Sequence, residues 1–562
     1  MIFPERLKTL QAQAPERVAV TLQFPHADDR PISLEQLLRG AQSFARTYAR
    51  EGIQPGEVVV LILQHGEDLL YAFWGAILHG AIPSIMPFLT EKLSPERYRA
   101  DLSALMSVTK PSAIVTYPEF EDEVRSAIKE GDSVHSVIVT DQLEPQTEIE
   151  FDSLAGFQRK PEDIVLLQHS SGTTGLQKGV ALSHQSVFNQ LDAYGRALAL
   201  NGGDVIVSWL PLYHDMGLIA GFIMPILSGI PLVLMSPFDW VRAPYKLMQS
   251  VAKYRGTLIW LPNFAYNFCA QKIRDRHLEG VDLSSLRAII NCSEPVRWES
   301  HQAFYERFKG YGLRWESLQT SYAMAENVFG VTQSLLGNEP VVHEIDREAF
   351  MVERAAKSPL DGRPTMKMMS SGRALENVEI RILDERGKDV PERVIGEVAL
   401  KSDCMLTGYY NRNDLTKKAF LDGWYLTGDY GYVADGEVFV SGRKKDMIIV
   451  GGRNVYPQDL EALTYEVPGV HGGRSVAFGM FDEEAGTEDV VIIAEVDSED
   501  AIEQQKTADA IRLHVTKNSA IALRYVKVVG PKWIIKTSSG KTARSANREK
   551  FMKELQEARG RG

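Results

Sequence analysis

The sequence has little cysteine, no long uninterrupted apolar run and no excess of positive charge. Its 562 residues include three cysteines, Cys269, Cys292 and Cys404, without a CxxC pair, so neither a disulfide framework nor a zinc site is indicated. We therefore expect a reducing, cytoplasmic environment. The formal net charge is −12, from 62 Lys and Arg against 74 Asp and Glu, which disfavours nucleic acid as the main partner.

Membrane insertion is also disfavoured. The first twenty residues carry charges throughout and have no apolar core, so we expect no signal peptide. Residues 216–238 are uncharged and long enough to span a bilayer, but Pro225, Gly229 and Pro231 interrupt them. We expect a buried helix, a turn and a strand there, and no transmembrane anchor.

The overall composition is that of a large globular protein. With 44% hydrophobic and 24% charged residues, 44 glycines and 26 prolines, collagen, low-complexity disorder and coiled coil are excluded as the general class. Apolar strand-like segments alternate with helical patterns along the first part of the chain, which predicts a doubly wound α/β architecture with parallel sheets covered on both faces. Strand candidates are 58–63, 113–117 and 137–140, with helix candidates at 68–79 and 97–109 between them. The same alternation recurs over 205–235, 257–262 and 286–291, which predicts a second sheet.

The later part of the chain has a different texture. From residue 378, short segments of alternating polarity predict a small antiparallel β subdomain. Beyond residue 442, the pattern predicts a compact α+β unit of about 120 residues. Between these regions, residues 337–370 have mixed charge and no clean period, which is typical of a surface loop, although the length suggests a function. In the C-terminal unit the strand candidates are 475–478, 490–496 and 525–529, and the helix candidate is 500–517.

The strongest local motif is SSGTTGLQKG at residues 170–179. Its glycines and hydroxyls follow an apolar strand, so backbone N–H groups can surround an anion while Lys178 adds positive charge. The motif therefore predicts a phosphate cradle, with a flexible polar turn as the alternative. It is not a Walker A loop, and the other candidate, Gly540-Lys541-Thr542, has Ile535 where the first Walker glycine should be.

Five motifs in this order resemble the signatures of the adenylate-forming superfamily, which includes acyl-CoA synthetases, luciferases, adenylation domains of peptide synthetases and fatty acyl-AMP ligases. The resemblance implies a large N-terminal domain at 1–441, a hinge at 442–446 and a small mobile C-terminal domain at 447–562. These are called below the large unit, the hinge and the C-terminal unit. The five motifs are SSGTTGLQKG at 170–179, YAMAE at 322–326, YLTGD at 425–429, GRKKDMIIV at 442–450 and KTSSGK at 536–541.

The resemblance also implies roles for individual residues, with ATP and Mg²⁺ as cofactors. Three catalytic residues are implied: Lys541 would bridge the attacking carboxylate and the α-phosphate, Glu326 would hold Mg²⁺, and His214 would act at the mouth of the acyl-binding tunnel. Lys445 would be the hinge residue. The residues implied in nucleotide binding are Ser170, Ser171, Gly172, Thr173, Thr174, Gly175, Lys178, Ser293, Glu294, Pro295, Tyr322, Ala323, Asp429 and Arg443.

Each of these residues has a plainer structural alternative. Lys541 could be a solvated surface lysine, with Lys536 as the less favoured catalytic choice. Asp429 could form a turn in TGDYG, and Glu326 could lie on an exposed helix face. Tyr322, expected to stack on adenine, could be a core tyrosine, and His214 could be a buried structural histidine. Arg443 to Lys445 could be an exposed turn. Gln177 and Ala323 replace the Pro and Gly that most relatives have, which bears on loop geometry.

The branch that the sequence most resembles is fatty acyl-AMP ligase. His214 stands where amino-acid-activating relatives have an aspartate for the substrate amine, although Asp215 is adjacent. Residues 337–370 correspond to an insertion that, in that branch, hinders the rearrangement used for CoA. The resemblance therefore implies activation of a fatty acid to acyl-AMP with release of pyrophosphate, followed by transfer to an acyl carrier protein. The alternatives are an acyl-CoA or aryl-CoA ligase and a catalytically idle nucleotide-binding relative.

The C-terminal end has a local positive charge that bears on the partner. Residues 536–562 hold eight cations against three anions, 8 − 3 = +5, in a protein of net charge −12. Because carrier proteins are generally acidic, this end could steer one towards the enzyme. A solvated helix face with a frayed tail is the alternative.

Overall fold

Two seven-stranded sheets, both mainly parallel, form most of the large unit. They are seen in a computed structural model that describes residues 1–25, 27–88, 95–143, 148–170, 178–451, 453–483, 487–519, 521–537 and 540–559. All neighbours in the first sheet are parallel except the last pair. In spatial order its strands are Leu318–Thr320, Ala288–Asn291, Leu258–Leu261, Ile206–Ser208, Leu232–Met235, Val18–Gln23 and Arg30–Ser33.

The second sheet has the same design with two antiparallel strands at one edge. Central strands of both sheets are buried along their whole length, because helices cover both faces. The expected doubly wound α/β architecture is therefore confirmed. In spatial order the strands are Gly408–Tyr409, Lys178–Ser183, Ile164–Ser170, Ile82–Ile85, Val58–Leu61, Ala113–Thr116 and Ser136–Val139.

Smaller sheets follow along the chain, as the change in sequence pattern after residue 378 predicts. A five-stranded antiparallel sheet contains Val378–Leu383, Gly396–Ser402, Trp424–Ala434 and Phe420–Leu421 in that order, with Glu437–Arg443 paired to Trp424–Ala434. The C-terminal unit has a three-stranded sheet of Ser475–Asp482, Thr487–Glu495 and Leu523–Val529. Its core is a separate cluster that includes Ile448, Ile492 and Ile511. Two-stranded ribbons pair Thr332–Gln333 with Arg373–Ala374, Val342–Asp346 with Thr365–Met369 and Ile448–Val450 with Arg453–Val455.

The helices fill the connections between strands. Residues 216–238 form the expected buried helix, turn and strand, with a π-helical first part. The α-helices are Phe3–Gln13, Leu34–Arg50, Glu67–His79, Pro95–Thr109, Glu121–Ala127, His184–Ala197, Met224–Ser228, Pro237–Arg242, Tyr245–Tyr254, Asn263–Lys272, Trp298–Phe308, Asn413–Lys418, Pro457–Tyr465, Ala501–Ser519 and Arg544–Arg559. π-Helical segments are Met216–Ile223 and Ala349–Glu353, and 3₁₀ turns are Pro118–Phe120, Thr140–Gln142, Phe151–Ser153, Ala155–Gln158, Asp275–His277, Lys309–Tyr311, Trp315–Ser317, Ala325–Asn327 and Lys444–Asp446. No helix within the described ranges is long and apolar enough to cross a membrane.

The surface-loop interpretation of residues 337–370 holds for 357–364, which are exposed without helix or strand, but is wrong for 342–353 and 365–369. Val342–Asp346 and Thr365–Met369 pair over five residues as an antiparallel ribbon, and Phe350 is buried in a cluster with Tyr432 and Phe439 of the antiparallel sheet. The segment also contacts the C-terminal unit, since the Phe350 ring centroid lies 5.8 Å from that of Tyr456. Mixed polarity hid this structure because the ribbon has one packed face and one exposed face.

Candidate active site

Asp429 is bonded through both of its carboxylate oxygens. The Tyr322 hydroxyl donates to Oδ2 at 2.5 Å, and Nε of Arg443, its cross-strand neighbour, lies 2.9 Å from Oδ1. Burial, reinforced by Asp429, raises the pKa of Tyr322 well above its ordinary value, so this phenol stays protonated as a donor. Asp429 lies within strand Trp424–Ala434, so it is not the turn-former that the sequence allowed.

Glu326 lies at the centre of a second polar group. It is in the 3₁₀ turn Ala325–Asn327, and its Oε1 accepts a hydrogen bond of 2.9 Å from the Tyr409 hydroxyl. That hydroxyl is 3.0 Å from the hydroxyl of Tyr425, and Lys178 Nζ lies 4.6 Å from the Tyr409 ring centroid. The group therefore gathers the predicted phosphate lysine and the predicted metal ligand around one tyrosine.

The turn that presents Glu326 is strained. Val328 has φ +62°, a region that β-branched residues rarely occupy, and it is fully buried. The Leu406 N–H donates to the backbone carbonyl of Glu326 at 2.8 Å, which fixes the turn from the other side. Ala323 forms an isolated bridge to Gly330 across the same turn. Strain of this kind persists where surrounding contacts impose it and is common at functional sites.

Ser170 and Lys178 pair through their backbones at the loop end of a hairpin. They are the last registered pair between strands Ile164–Ser170 and Lys178–Ser183, so the predicted phosphate loop is the connection between these two strands. Five of its predicted contact residues lie outside the described residues: Ser171, Gly172, Thr173, Thr174 and Gly175.

Lys541 reaches from the C-terminal unit to the large unit. A backbone hydrogen bond fixes this lysine, since the Thr537 N–H donates to the Lys541 carbonyl at 2.7 Å. Gly540, just before it, has φ +84°. The Lys541 Nζ lies 3.4 Å from Nε2 of His214. Lys541 is therefore not simply a solvated surface lysine. His214, in turn, is not bonded to backbone alone, because its ring contacts the Lys541 side chain.

His214 and Asp215 form a close pair on the large unit. His214 Nδ1 is 2.6 Å from Asp215 Oδ1, and the side chains are only 15% and 11% exposed. The Met216 N–H donates to the same oxygen at 2.7 Å, which caps the π-helical segment Met216–Ile223. Burial opposes ionisation of Asp215, but His214, Lys541 and this N–H together hold the pKa of the carboxyl below its ordinary value.

The position of this pair depends on Gly217. A Cβ at Gly217 would lie 2.2 Å from the carbonyl oxygen of Pro211, so no other residue allows the segment after His214 to fold back this closely. In the core beside this segment, the rings of Trp209 and Trp240 stack with centroids 3.6 Å apart. Phe264 packs edge-on against both. The two tryptophans are buried, and only Phe264 of the three is partly exposed.

A tight loop after strand Ala288–Asn291 contributes the remaining predicted nucleotide residues. Ser293 has φ +70°, and Glu294 Oε2 accepts a hydrogen bond of 3.0 Å from the Phe264 N–H at the start of helix Asn263–Lys272. Pro295 is next in this loop. Arg297 follows and lies 2.7 Å from Asp459 of the C-terminal unit, a contact that the sequence analysis did not identify.

Lys445, the predicted hinge residue, lies in the 3₁₀ turn Lys444–Asp446. Burial, then the nearby charges of Arg443 and Lys178, lower the pKa of its ammonium. Arg443, Lys178 and Lys445 therefore act on one another here, and an anion beside them would be stabilised. A polyphosphate fits this arrangement.

Sequence reasoning missed Tyr409, Asp215 and Arg297 as members of the site. Asp215 and Arg297 were inside quoted motifs, HDMG and NCSEPVR, but nothing local distinguishes their side chains from solvated ones. Tyr409 is in a two-residue strand at the sheet edge, and only that pairing brings it beside Glu326.

Comparisons with known proteins identify the family of the chain. The profile of the family described as AMP-binding enzyme matches residues 7–410. The medium-chain-fatty-acid–[acyl-carrier-protein] ligase JamA of Moorena producens is 30% identical over 561 residues, covering 94% of this chain and 91% of its own. The long-chain-fatty-acid–AMP ligase FadD26 of Mycobacterium bovis is 30% identical over 526 residues, with 88% and 87% covered. A solved structure from work on fatty acyl-adenylate ligases of E. coli and L. pneumophila superposes with a TM-score of 0.89, at 25% identity, over 99% of this chain and 98% of that chain.

Proposed function

The chain belongs to the AMP-binding enzyme family and is an adenylating enzyme, and from this premise we propose that it activates a fatty acid and passes the acyl group to an acyl carrier protein. The observation that carries the proposal is the approach of Lys541 Nζ to within 3.4 Å of His214 Nε2. This contact brings a cation of the C-terminal unit to the cleft of the large unit.

The first reaction forms a mixed anhydride. A carboxylate oxygen of the acid attacks the α-phosphorus of ATP, and the bond from that phosphorus to the bridging oxygen of pyrophosphate breaks. Because two anions must meet, the main requirements are positioning and neutralisation of charge. Lys541 would contact both anions. Lys178, Arg443 and Lys445 would supply positive charge on the phosphate side.

Asp429 and Tyr322 would hold the nucleoside. The two oxygens of Asp429 accept one O–H and one N–H donor, and ribose hydroxyls offer donors of the same kind. Tyr322 is partly buried against the core, and its ring would stack on the adenine base. Ser293, Glu294 and Pro295 would line the same part of the cleft.

Glu326 would hold Mg²⁺ together with oxygens of the triphosphate. Within the described ranges, no three His, Cys, Asp or Glu side chains gather as a ready ligand set. This suits Mg²⁺, which is usually bound by one or two carboxylates, substrate phosphates and water. When bound, the ion would neutralise charge on the β- and γ-phosphates. Tyr409 orients the Glu326 carboxylate through the 2.9 Å hydrogen bond.

Two observations support a fatty acid over an amino acid. Position 214 holds a histidine, whose imidazole offers no carboxylate to a substrate ammonium, and Oδ1 of the adjacent Asp215 already accepts from His214 and from the Met216 N–H. In addition, the partly exposed Phe264, which packs on the buried Trp209, would offer apolar surface to an alkyl chain. An alkyl chain gains about 0.8 kcal/mol for each CH₂ buried against such a surface.

The segment 337–370 supports a carrier protein over CoA as acyl acceptor. The Arg347 guanidinium donates to the Asn518 carbonyl of the C-terminal unit, and Asn454 donates to the Met351 carbonyl at 3.4 Å. The ribbon therefore ties the two units together in the orientation that brings Lys541 to His214. In the second reaction, the thiol of the phosphopantetheine arm attacks the acyl carbon, AMP leaves, and the thiol proton goes to solvent.

Part of the C-terminal positive charge is used inside the protein. Arg544 pairs with buried Glu461 at 2.8 Å, and Lys550 donates to the Trp533 carbonyl at 2.9 Å. Arg548 and Lys553 on helix Arg544–Arg559 remain exposed. Steering of an acidic carrier would therefore rest on these outer residues.

The test is pyrophosphate release with a panel of fatty acids of different length, followed by product analysis with CoA and with holo acyl carrier protein. We expect release with fatty acids and an acylated carrier. Acyl-CoA formation without a carrier product would favour the acyl-CoA or aryl-CoA ligase. If no acid of the panel causes pyrophosphate release while ATP still binds, the result would favour the idle nucleotide-binding relative.

A further inference from the structure

The side chains of Asp215, His214 and Lys541 form a line across the cleft. Asp215 Oδ1 is 2.6 Å from His214 Nδ1, and His214 Nε2 is 3.4 Å from Lys541 Nζ. Each nitrogen of the imidazole therefore faces a different group, an anion on one side and a cation on the other. The carboxylate and the imidazole belong to the large unit, whereas the ammonium belongs to the C-terminal unit.

These contacts assign the tautomer of His214. A carboxylate oxygen can only accept, so the short contact requires a proton on Nδ1. An ammonium can only donate, so Nε2 must keep its lone pair. A weaker contact of 3.4 Å runs from the Met216 N–H to Nδ1, but that N–H has the better acceptor in Asp215 Oδ1 at 2.7 Å. The neutral ring with Nδ1–H satisfies both sides.

We propose that Asp215 is a positioning residue for adenylation, which holds His214 as the Nδ1–H tautomer so that Nε2 receives the Lys541 ammonium beside the attacking carboxylate. This inference rests on the proposed function. Without Asp215, the ring could rotate or carry its proton on Nε2, and an N–H facing an ammonium repels it. Lys541 would then lose the acceptor that fixes it in the cleft.

The surroundings favour such a role over simple packing. The side chains of His214 and Asp215 are 15% and 11% exposed, so water competes little for their hydrogen bonds. The carboxylate is itself fixed by the Met216 N–H at the start of the π-helical segment Met216–Ile223. A rigid second partner that sets the tautomer of a functional histidine is a recurrent arrangement in enzyme sites.

The experiment compares Asp215→Ala and Asp215→Asn with the exposed control Asp28→Ala in full-length enzyme. ATP–pyrophosphate exchange with a saturating fatty acid reports adenylation. We expect kcat to fall at least about tenfold in Asp215→Ala, with the KM for ATP within about twofold of wild type, because the nucleotide contacts are elsewhere. Asp215→Asn should lie between, since its amide oxygen still accepts from Nδ1–H.

Two further readouts separate positioning from a folding defect. Acyl transfer to the carrier from synthetic acyl-adenylate should be unchanged in Asp215→Ala, because that step does not need Lys541; parallel loss of both steps would overturn the proposal. ¹⁵N NMR of histidine-labelled protein, assigned with His214→Gln, should give the Nδ1–H tautomer in wild type and Asp215→Asn but not in Asp215→Ala. An unchanged tautomer or an unchanged kcat would also overturn it.

The NMR result does not depend on the substrate. If the wild-type enzyme shows no adenylation with any fatty acid, the proposed function fails. The tautomer comparison would still decide whether Asp215 sets the tautomer of His214.

Discussion

Arg297 and Asp459 form an ion pair that joins the large unit to the C-terminal unit. Nη2 of Arg297 lies 2.7 Å from Oδ1 of Asp459, and the side chains are 23% and 34% exposed. Burial alone would lower the pKa of Arg297, but Asp459, with Glu299 and Glu461, more than offsets it and the pKa is raised. The pair therefore holds the C-terminal unit in the orientation that brings Lys541 to His214.

Replacing Asp459 with Asn should slow adenylation by roughly fivefold. The reason is that a partly exposed ion pair contributes about 1 kcal/mol at most, and its loss lets the C-terminal unit leave the adenylation orientation more often. ATP–pyrophosphate exchange measures the effect. The charge-swapped double variant Arg297→Asp with Asp459→Arg should recover most of the rate. Failure of Asp459→Asn to alter exchange would show that other contacts determine the orientation.

Lys541→Ala should suppress adenylation by at least about a hundredfold, because the charge that bridges the two anions is lost from a site shielded from water. ATP affinity, measured by calorimetry, should change little since the other proposed nucleotide contacts lie on the large unit and the hinge. Lys536→Ala is the matched control, from the same loop, and should have a much smaller effect. Undiminished turnover in Lys541→Ala would show that Lys541 does not bridge the carboxylate and the α-phosphate.

Much of the fold could be predicted from local pattern. The strand Val58–Leu61 is buried at every position, and such a run of β-branched residues is recognisable without knowing its neighbours. The ribbon of Val342–Asp346 and Thr365–Met369 is different. Its residues are mostly half-buried, and the pairing joins segments separated by 18 residues of irregular sequence, so the signal is tertiary and not local.

The residues of the candidate site also divide into those that a sequence motif indicates and those that only tertiary pairing brings into place. Asp429, Glu326 and Lys541 stand in motifs, and their positions in the sequence predicted their importance. Tyr409, by contrast, matters because a two-residue strand pairs with Val180 and Ala181 and brings its hydroxyl to Glu326. No spacing along the chain contains that information.

Asp429→Ala should weaken ATP binding by about tenfold or more, since a buried carboxylate with charge-assisted hydrogen bonds is removed from the nucleoside site. Tyr322→Phe is the informative companion because it deletes only the hydroxyl that donates to Oδ2 at 2.5 Å. Its effect on the KM for ATP should be smaller than that of Asp429→Ala. Equal KM values in wild type and Asp429→Ala would remove Asp429 from the nucleotide site.

Arg347→Ala combined with Asn454→Ala should allow some acyl-CoA formation. These substitutions remove two links between the segment 337–370 and the C-terminal unit without touching the buried Phe350. The units should then rearrange more easily for a soluble thiol. Acyl-CoA is measured by mass spectrometry beside carrier acylation, with the exposed Lys367→Ala, whose ammonium lies 3.5 Å from the Trp298 ring centroid, as a control within the ribbon. A double variant that still makes no acyl-CoA would show that these links do not exclude CoA.

Stability should fall as the pH decreases from about 6.5 towards 4, because buried histidines resist protonation in the folded state. Burial lowers the pKa of His169 to about 4 and that of His301 to about 3. An unfolded histidine, with a pKa near 6.5, takes up its proton first, so the unfolded form binds more protons within this window and stability rises with pH. Each such histidine contributes on the order of a few kcal/mol to the pH dependence of the free energy of unfolding. Melting temperatures measured from pH 8 to 4 should show a shallower slope for His301→Gln than for wild type or the exposed control His135→Gln, and identical slopes would contradict the role of the buried ring.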